Sequence, residues 1–326
     1  MRTNLIICIV ITLALILCPI AAVGSESDVT DEKIETKASE TQNEESYISV
    51  MSSSTGEIDK IGMREYIIGC VSAEMSASSH TEALKAQAVA SYTYAKKTRE
   101  QNSKHKDSEL GNADITDSSD KHQGYLNEKQ RKEKWGEKYD EYEKKIETAV
   151  DAVFGSYLSF NGETVLSVYH AISAGSTQSA KSLWGTEIPY LASVESPGDK
   201  LSPDYIKTVS FSETEFKKAM KKCDVKLTGD AENWINGVKE SDEGYVLSLT
   251  LNKQNISASI IRECLGLRSL CFNVKYTDGE FVFTSYGYGH GVGMSQYGAD
   301  YMARQGSSWR EILLHYYQGA SIEEDI

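Results

Sequence analysis

Positive charge is scarce in this chain. Lysine and arginine number 34 against 48 aspartates and glutamates, a formal net charge of −14, which argues against a nucleic-acid-binding role. None of the six cysteines forms a C-x-x-C. Cys8 and Cys18 fall in an apolar stretch; for Cys70, Cys223, Cys264 and Cys271 one disulfide and a set of buried thiols both remain open. The glycine-rich run near the C-terminus lacks the Gly-Lys-Ser/Thr of a phosphate loop. In Gly293-Met-Ser295-Gln-Tyr-Gly298 the second glycine comes one residue too late for a nucleophile elbow, which argues against a serine hydrolase. No repeat and no steady strand–helix alternation is present, so an α+β fold is expected rather than a doubly wound sheet.

With 326 residues and 40% apolar content, the chain can bury one large core or two modest ones. Arg2 precedes Leu5 to Val23, a charge-free run about long enough to cross a bilayer of roughly 30 Å. Residues 1–23 are therefore expected to form a transmembrane anchor with the body facing outward, in the cell membrane as a single-pass protein. A cleaved signal peptide is the competing reading, left open by Ala21 and Ala22. Leu17 before Cys18 is a poor lipoprotein cleavage site. Residues 24–49 are expected to be a flexible acidic linker, since Gly24 to Glu45 holds eight acidic and two basic residues. Residues 50–326 remain for the folded domain, with a charged loop and helix set in at about 101–154.

That domain is organised around Arg64 to Arg99, where Glu74 lies inside a run of apolar and small residues. Ile67, Ile68, Val71 and Met75 recur at helical spacing, predicting a short buried helix that ends near Glu74. Ser79 with Glu82 reads as a capping box opening a second helix along Leu84, Ala88, Tyr92 and Ala95. A carboxyl held dry at this junction would have a raised pKa and suit a general acid; a solvated helix-end carboxylate is the plainer alternative.

Further along, Gln101 to Gly124 reads as a polar surface loop, and Asn127 to Phe154 as one amphipathic helix with an aromatic stripe, closed by Gly155. Asn161-Gly162 and Asp278-Gly279 mark two hairpins. The loop that begins YHAISAGS and holds Trp184 and Tyr190 mixes hydroxyls with aromatics, which suits carbohydrate or simply closes a core. Capping boxes at Ser212/Glu215 and Ser308/Glu311 open two more helices, and Ser257 to Leu265 reads as another. Gly287, Gly289, Gly291 and Gly293 let the backbone approach a second surface closely and place His290 on an open loop. The expected architecture is mixed helices and antiparallel hairpins around a substrate cleft.

The segments EYIIGCVSAEM and EALKAQAVASYTYA, the Tyr169-His170 loop, GHGVGMSQYGA and the terminal I-L-x-H-Y-Y pattern resemble the stage II sporulation protein D family, from about Met63 to Ile322. The resemblance implies a peptidoglycan lytic transglycosylase acting on glycan strands during engulfment in sporulation. It makes Glu74 the catalytic acid/base, and Gln87, Tyr92, His170, Ser173, Tyr190, His290 and Gln296 its substrate-binding residues. Tyr92 stands where the family usually has arginine, Ala192 where a basic residue often follows P-Y-L, and Ile172 and Ala174 depart from the family loop. Some relatives carry a zinc loop; its counterpart here, DITDSSDKHQGY, keeps only His122 of such ligands, so neither metal nor cofactor is expected. The implied partner is an amidase, stage II sporulation protein P. The same fold also resembles amidase enhancers, which bind the wall without cleaving it.

Overall fold

The computed structural model describes residues 47–325. The expected anchor over 1–23 and nearly all of the linker lie outside them. Among the described residues no helix is long and apolar enough to cross a membrane.

Helix α1 (Met63–Glu74) buries Tyr66, Ile67, Ile68, Cys70 and Val71 together, so it has scarcely any wet face. It packs on the long helix α2 (Thr81–Lys104). The cap of α2 differs from expectation: His80, not Ser79, is the N-cap, and its Nδ1 accepts the Glu82 N–H at 3.3 Å. Glu82 is drawn elsewhere, to the Lys85 ammonium at 2.7 Å and the Trp309 N–H at 2.9 Å. The 101–124 stretch is more ordered than a surface loop. Helix α2 runs on to Lys104, and the strand Ile115–Thr116 pairs in parallel with Val50–Met51.

The single helix expected over 127–154 is two, α3 (Glu128–Trp135) and α4 (Tyr139–Asp151). Gly136 breaks it, at φ +52° in the left-handed region where glycine terminates helices. The aromatic stripe survives the break: Trp135 meets Tyr142 edge-on at 5.9 Å. Asn161 and Gly162 both have positive φ, as a type I′ turn demands, between Ser156–Phe160 and Glu163–Thr164. The short α5 (Ala180–Trp184) follows.

Residues 206–286 contain a second core. Three antiparallel strands, Ile206–Ser212, Glu280–Tyr286 and Phe272–Thr277, pair side by side, and Val246–Leu251 is flanked by Ile235–Glu240 and Gln254–Ser257. Phe216 stacks on Phe281 at 4.2 Å, with Trp234 on the same ring at 5.7 Å. Helix α6 (Glu213–Lys222), opened by the Ser212/Glu215 box, meets α7 (Ala258–Leu265). A disulfide, Cys223–Cys264, staples their C-terminal ends, while Cys70 and Cys271 are thiols. The chain then returns to the first core through α8 (Gln296–Arg304) and α9 (Trp309–Tyr316), and Ser321–Glu324 pairs with Ser156–Phe160.

The disulfide closes a loop 41 residues apart in sequence. Replacing both cysteines with serine should lower stability by about 3–4 kcal/mol, read as a reduced urea midpoint for the 206–286 core.

Candidate active site

Helix α1 is buried almost all round, and Glu74 is its last residue, so the carboxyl emerges where the helix stops. It is half-buried: partly stripped of water yet open to an incoming group. Its Oε1 accepts the Gly124 N–H at 2.6 Å. The side chains of Gln296 and Tyr169 and the Lys134 ammonium also favour its ionised form. Burial wins over these four, and the pKa of Glu74 lies above the ordinary carboxyl value. Gly124 has no room for a side chain of ordinary freedom: a Cβ there would stand 3.1 Å from the Glu74 carboxyl oxygen.

A polar cluster backs this carboxyl. Gln296, at the start of α8, donates from Nε2 to Gln87 Oε1 at 3.3 Å, and Gln87 Nε2 donates to Ser91 Oγ at 3.1 Å. Gln123 Nε2 donates to the Tyr66 hydroxyl at 3.1 Å and to Ser91 O at 3.2 Å, while its Oε1 accepts the Tyr169 hydroxyl at 2.9 Å. Burial and the nearby Glu74 charge hold the Tyr169 phenol well above its usual pKa, so it remains a proton-bearing donor. Lys134, on α3, donates to Ser72 O at 2.7 Å.

The glycine run forms the neighbouring wall. Gly287, Gly289, Gly291 and Gly293 all have positive φ. The surface they approach is the chain's own Val168–Ser173 segment and the Tyr245 ring: a Cβ on Gly287 would sit 2.6 Å from Ile172 O, and one on Gly291 2.6 Å from Tyr245. Met294–Ser295 pairs in parallel with Tyr169–His170. The rings of His170 and His290 lie 5.7 Å apart. Nδ1 of His290 accepts the Val292 N–H at 3.1 Å, and Nδ1 of His170 lies 3.1 Å from Val292 O. Nε2 of His170 is buried with no partner among the described residues. Burial, with a smaller push from Arg262 on His290 and from His290 on His170, takes His290 down to about 4 and His170 to about 3, so both rings are neutral at pH 7.

Of the residues expected to line the site, the structure gathers Glu74, Gln87 and Gln296 around one carboxyl, with His170 and His290 on the adjoining wall. Three others are placed differently. Ser173 is wholly buried, its N–H and hydroxyl both donating to Asp199 Oδ2, while Ser295 donates to Asp199 Oδ1 at 2.8 Å; it ties the glycine wall down. Tyr92 lies five residues beyond Gln87, about 140° around the helix, and its hydroxyl donates to Asp325 at 2.7 Å beside the Phe154 ring. Tyr190 accepts the Leu166 N–H at 3.0 Å and packs on Phe160 at 5.4 Å. Gln123, Gly124, Lys134 and Tyr169 were not foreseen. The first three come from the 101–154 segment, and the available signal was Gln123-Gly124-Tyr125. His122, from the same segment, bonds Thr116 Oγ1 at 3.1 Å, and among the described residues no group of three or more histidines, cysteines, aspartates or glutamates could hold a metal ion.

The class defined here is an α+β protein that keeps one partly dehydrated carboxyl against a glycine-rich wall. Comparison with known proteins makes this particular. The SpoIID family model, described as stage II sporulation protein, matches residues 51–160. Over 293 residues the chain is 38% identical to stage II sporulation protein D of Bacillus amyloliquefaciens, covering 89% of this chain and 83% of that one. Over 306 residues it is 36% identical to stage II sporulation protein D of Bacillus subtilis, covering 93% and 87%. An amidase enhancer of Bacillus subtilis is 25% identical over 225 residues, 53% of this chain and 32% of its own length. The chain belongs to the stage II sporulation protein D family, a family of sporulation proteins.

Two titrations test this electrostatic arrangement. Lys134→Met removes a charge that favours the carboxylate, so the Glu74 pKa should rise further, read by NMR of the labelled carboxyl. Both histidines have folded pKa values below about 6.5, the unfolded one, so unfolding takes up protons in that window. Their stabilising share is complete at pH 7 and should fall as pH drops from about 6.5 to 4, at about 1.4 kcal/mol per pH unit per proton. A His170→Gln variant should show a shallower loss in denaturant titrations over that range.

Proposed function

We propose that the protein is a peptidoglycan lytic transglycosylase that cleaves glycan strands between N-acetylmuramic acid and N-acetylglucosamine, with Glu74 as its one acid/base. The observation that carries this reading is the half-buried Glu74 carboxyl, protonated above the usual range yet within reach of Gln296 and Tyr169. In the first step the acid gives its proton to the glycosidic oxygen as the bond to the muramoyl C1 breaks. Gly124 N–H, Gln296, Tyr169 and Lys134 then stabilise the carboxylate left behind. In the second step that carboxylate takes the proton of the muramoyl C6 hydroxyl as its oxygen bonds C1. This closes a 1,6-anhydro ring and returns Glu74 to its acid form without consuming water.

One carboxyl suffices for both steps, whereas hydrolysis of such a bond uses two acidic residues and a water. Gly124, Gln296, Lys134 and Tyr169 include no carboxylate, which favours the first chemistry. Asp199, the other buried acid near the glycine wall, is occupied by Ser173 and Ser295. In this reading Leu5–Val23 anchors the chain in the cell membrane with the folded part outside, and an amidase partner, stage II sporulation protein P, supplies strands freed of stem peptides. The alternative, a wall-binding protein that stimulates an amidase, draws on the weaker similarity to the amidase enhancer.

Glu74→Gln should lower turnover on purified glycan strands by on the order of 10²–10⁴-fold, the usual worth of a general acid/base. In the unaltered protein kcat/KM should fall as pH rises through the raised Glu74 pKa, because the first step needs the protonated form. Mass spectrometry of the digest should show 1,6-anhydromuramic acid ends. Reducing ends instead, or full activity in the Gln variant, would remove Glu74 from this role.

A further inference from the structure

The second core is left partly open where one of its sheets ends. Phe272–Thr277 pairs with Glu280–Tyr286 on one side, and among the described residues no strand pairs with its other edge. The cross-strand partners Val274/Phe283 and Tyr276/Phe281 lie on the face turned to that core. Both phenylalanines are buried, yet Val274 and Tyr276 are only half-buried, because nothing flanks them. The sheet stops one strand short of covering what it packs on. Between this edge and Ile235–Glu240, itself the edge of its own sheet, lies a recess of about 390 Å³ lined by Ile235, Val238, Val274, Tyr276 and Phe281. Val238 is 44% exposed there, and the Tyr276 ring stands 4.8 Å from that of Phe281.

Bond alternation decides which groups this edge offers. The Tyr286 N–H donates to Cys271 O at 2.8 Å, and bonded pairs recur at every second residue of an antiparallel ladder. Asn273, Lys275 and Thr277 therefore turn their backbone groups to Glu280–Tyr286, while the N–H and C=O of Val274 and Tyr276 face the recess. Edge strands are commonly blunted by irregularities, and Ile235–Glu240 is, with register shifts at Ile235/Gly237 and Lys239/Glu240. Phe272–Thr277 runs six residues without one. An adjoining recess of about 440 Å³ shares Tyr276 and Glu232 with the first and adds Glu213, Asp230, Lys217 and Trp234. The Tyr276 hydroxyl donates to Glu213, and the Lys217 ammonium lies 5.6 Å from the centre of the Trp234 ring. Among the described residues none of the three carboxylates has an ion-pair partner, so the apolar recess opens into one of net negative charge.

We propose that the Val274–Tyr276 edge takes up an extended segment of a partner polypeptide, apolar at alternate positions, with a lysine or arginine at the end that reaches Glu213, Asp230 and Glu232. A polypeptide repeats its donors and acceptors at the two-residue period of the free edge, which a sugar chain does not. Its inward side chains would continue the row of Val274 and Tyr276 and close the core. Charge selects a partner over this chain itself. Gly24 to Glu45 holds eight acidic and two basic residues, and a second copy brings a further net charge of −14; both are poor matches for an acidic recess. The surface takes nothing from Glu74, so it stands or falls apart from the glycan-cleaving reading.

The test titrates full-length protein with a synthetic peptide, acetyl-Lys-Val-Thr-Val-Thr-Val-Thr-amide, and with three altered forms of it. One is N-methylated on its valine amides, one on its threonine amides, and one carries glutamate for lysine. In an added strand only one of the two amide sets faces the protein, so one methylation should weaken binding by about 10-fold or more and the other should leave it nearly unchanged. The glutamate form should lose about 10-fold or more. Binding should slow amide hydrogen exchange at Val274 and Tyr276 and leave Asn273 and Lys275, already paired, as they were. Val274→Pro removes an outward N–H at a position where an edge strand tolerates proline, and it should weaken the unmodified peptide while the sheet persists. Absence of saturable binding, or equal response to the two methylations, overturns the proposal in unaltered protein, whether or not the proline variant folds. Slow exchange at Val274 and Tyr276 before any peptide is added overturns it too, because this chain or a second copy would then cover the edge.

Discussion

The site depends on a balance at one oxygen. Glu74 Oε1 is taken out of water far enough to favour its proton, yet the Gly124 N–H at 2.6 Å keeps the ionised form affordable. A carboxyl left wholly dry would hold its proton and never take part in the second half of a reaction; one left wet would have none to give at neutral pH. Helix α1 supplies the dryness, because it is buried without a break from Tyr66 to Ser72. The groups that favour its charge come from elsewhere in the chain: Gly124, Lys134, Tyr169 and Gln296.

The glycine wall shows how this was accommodated. Four alternate residues without side chains let the backbone run against Val168–Ser173 and, at Gly291, against the Tyr245 ring at distances that no Cβ would tolerate, and Asp199 fastens the seam by gripping Ser173 and Ser295. The first core thereby receives Gln296 at the start of α8, where the N-cap Ser295 fixes the helix and hence the amide that meets Gln87. Backbone permissiveness at one place yields side-chain precision at another.

Local chemistry was readable in the sequence wherever a few adjacent residues decide the outcome. Asn161-Gly162 and Asp278-Gly279 turn as their identities require, and the boxes at Ser212 and Ser308 cap their helices. The buried helix ending at Glu74 and the close backbone approach of the glycine run were legible for the same reason. Long-range competition was not. Ser79 lost its partner because Glu82 is claimed by α9, 227 residues away. Gly136 splits a helix whose apolar stripe continues across the break. Gln123 and Gly124 sit in a stretch too polar to advertise a buried role, and Tyr92 lies about 140° around α2 from Gln87, with its hydroxyl on Asp325.

The bond between Gln296 and Gln87 spans 209 positions of sequence. Contacts of such separation form late, since the closure entropy of the intervening chain must be met first. A nascent or truncated polypeptide would own its acidic residue long before it owned the amide wall beside it. Assembly of this pocket is therefore coupled to arrival of the final thirty or so residues, and a chain cut short before Gln296 would carry the carboxyl without the amide beside it.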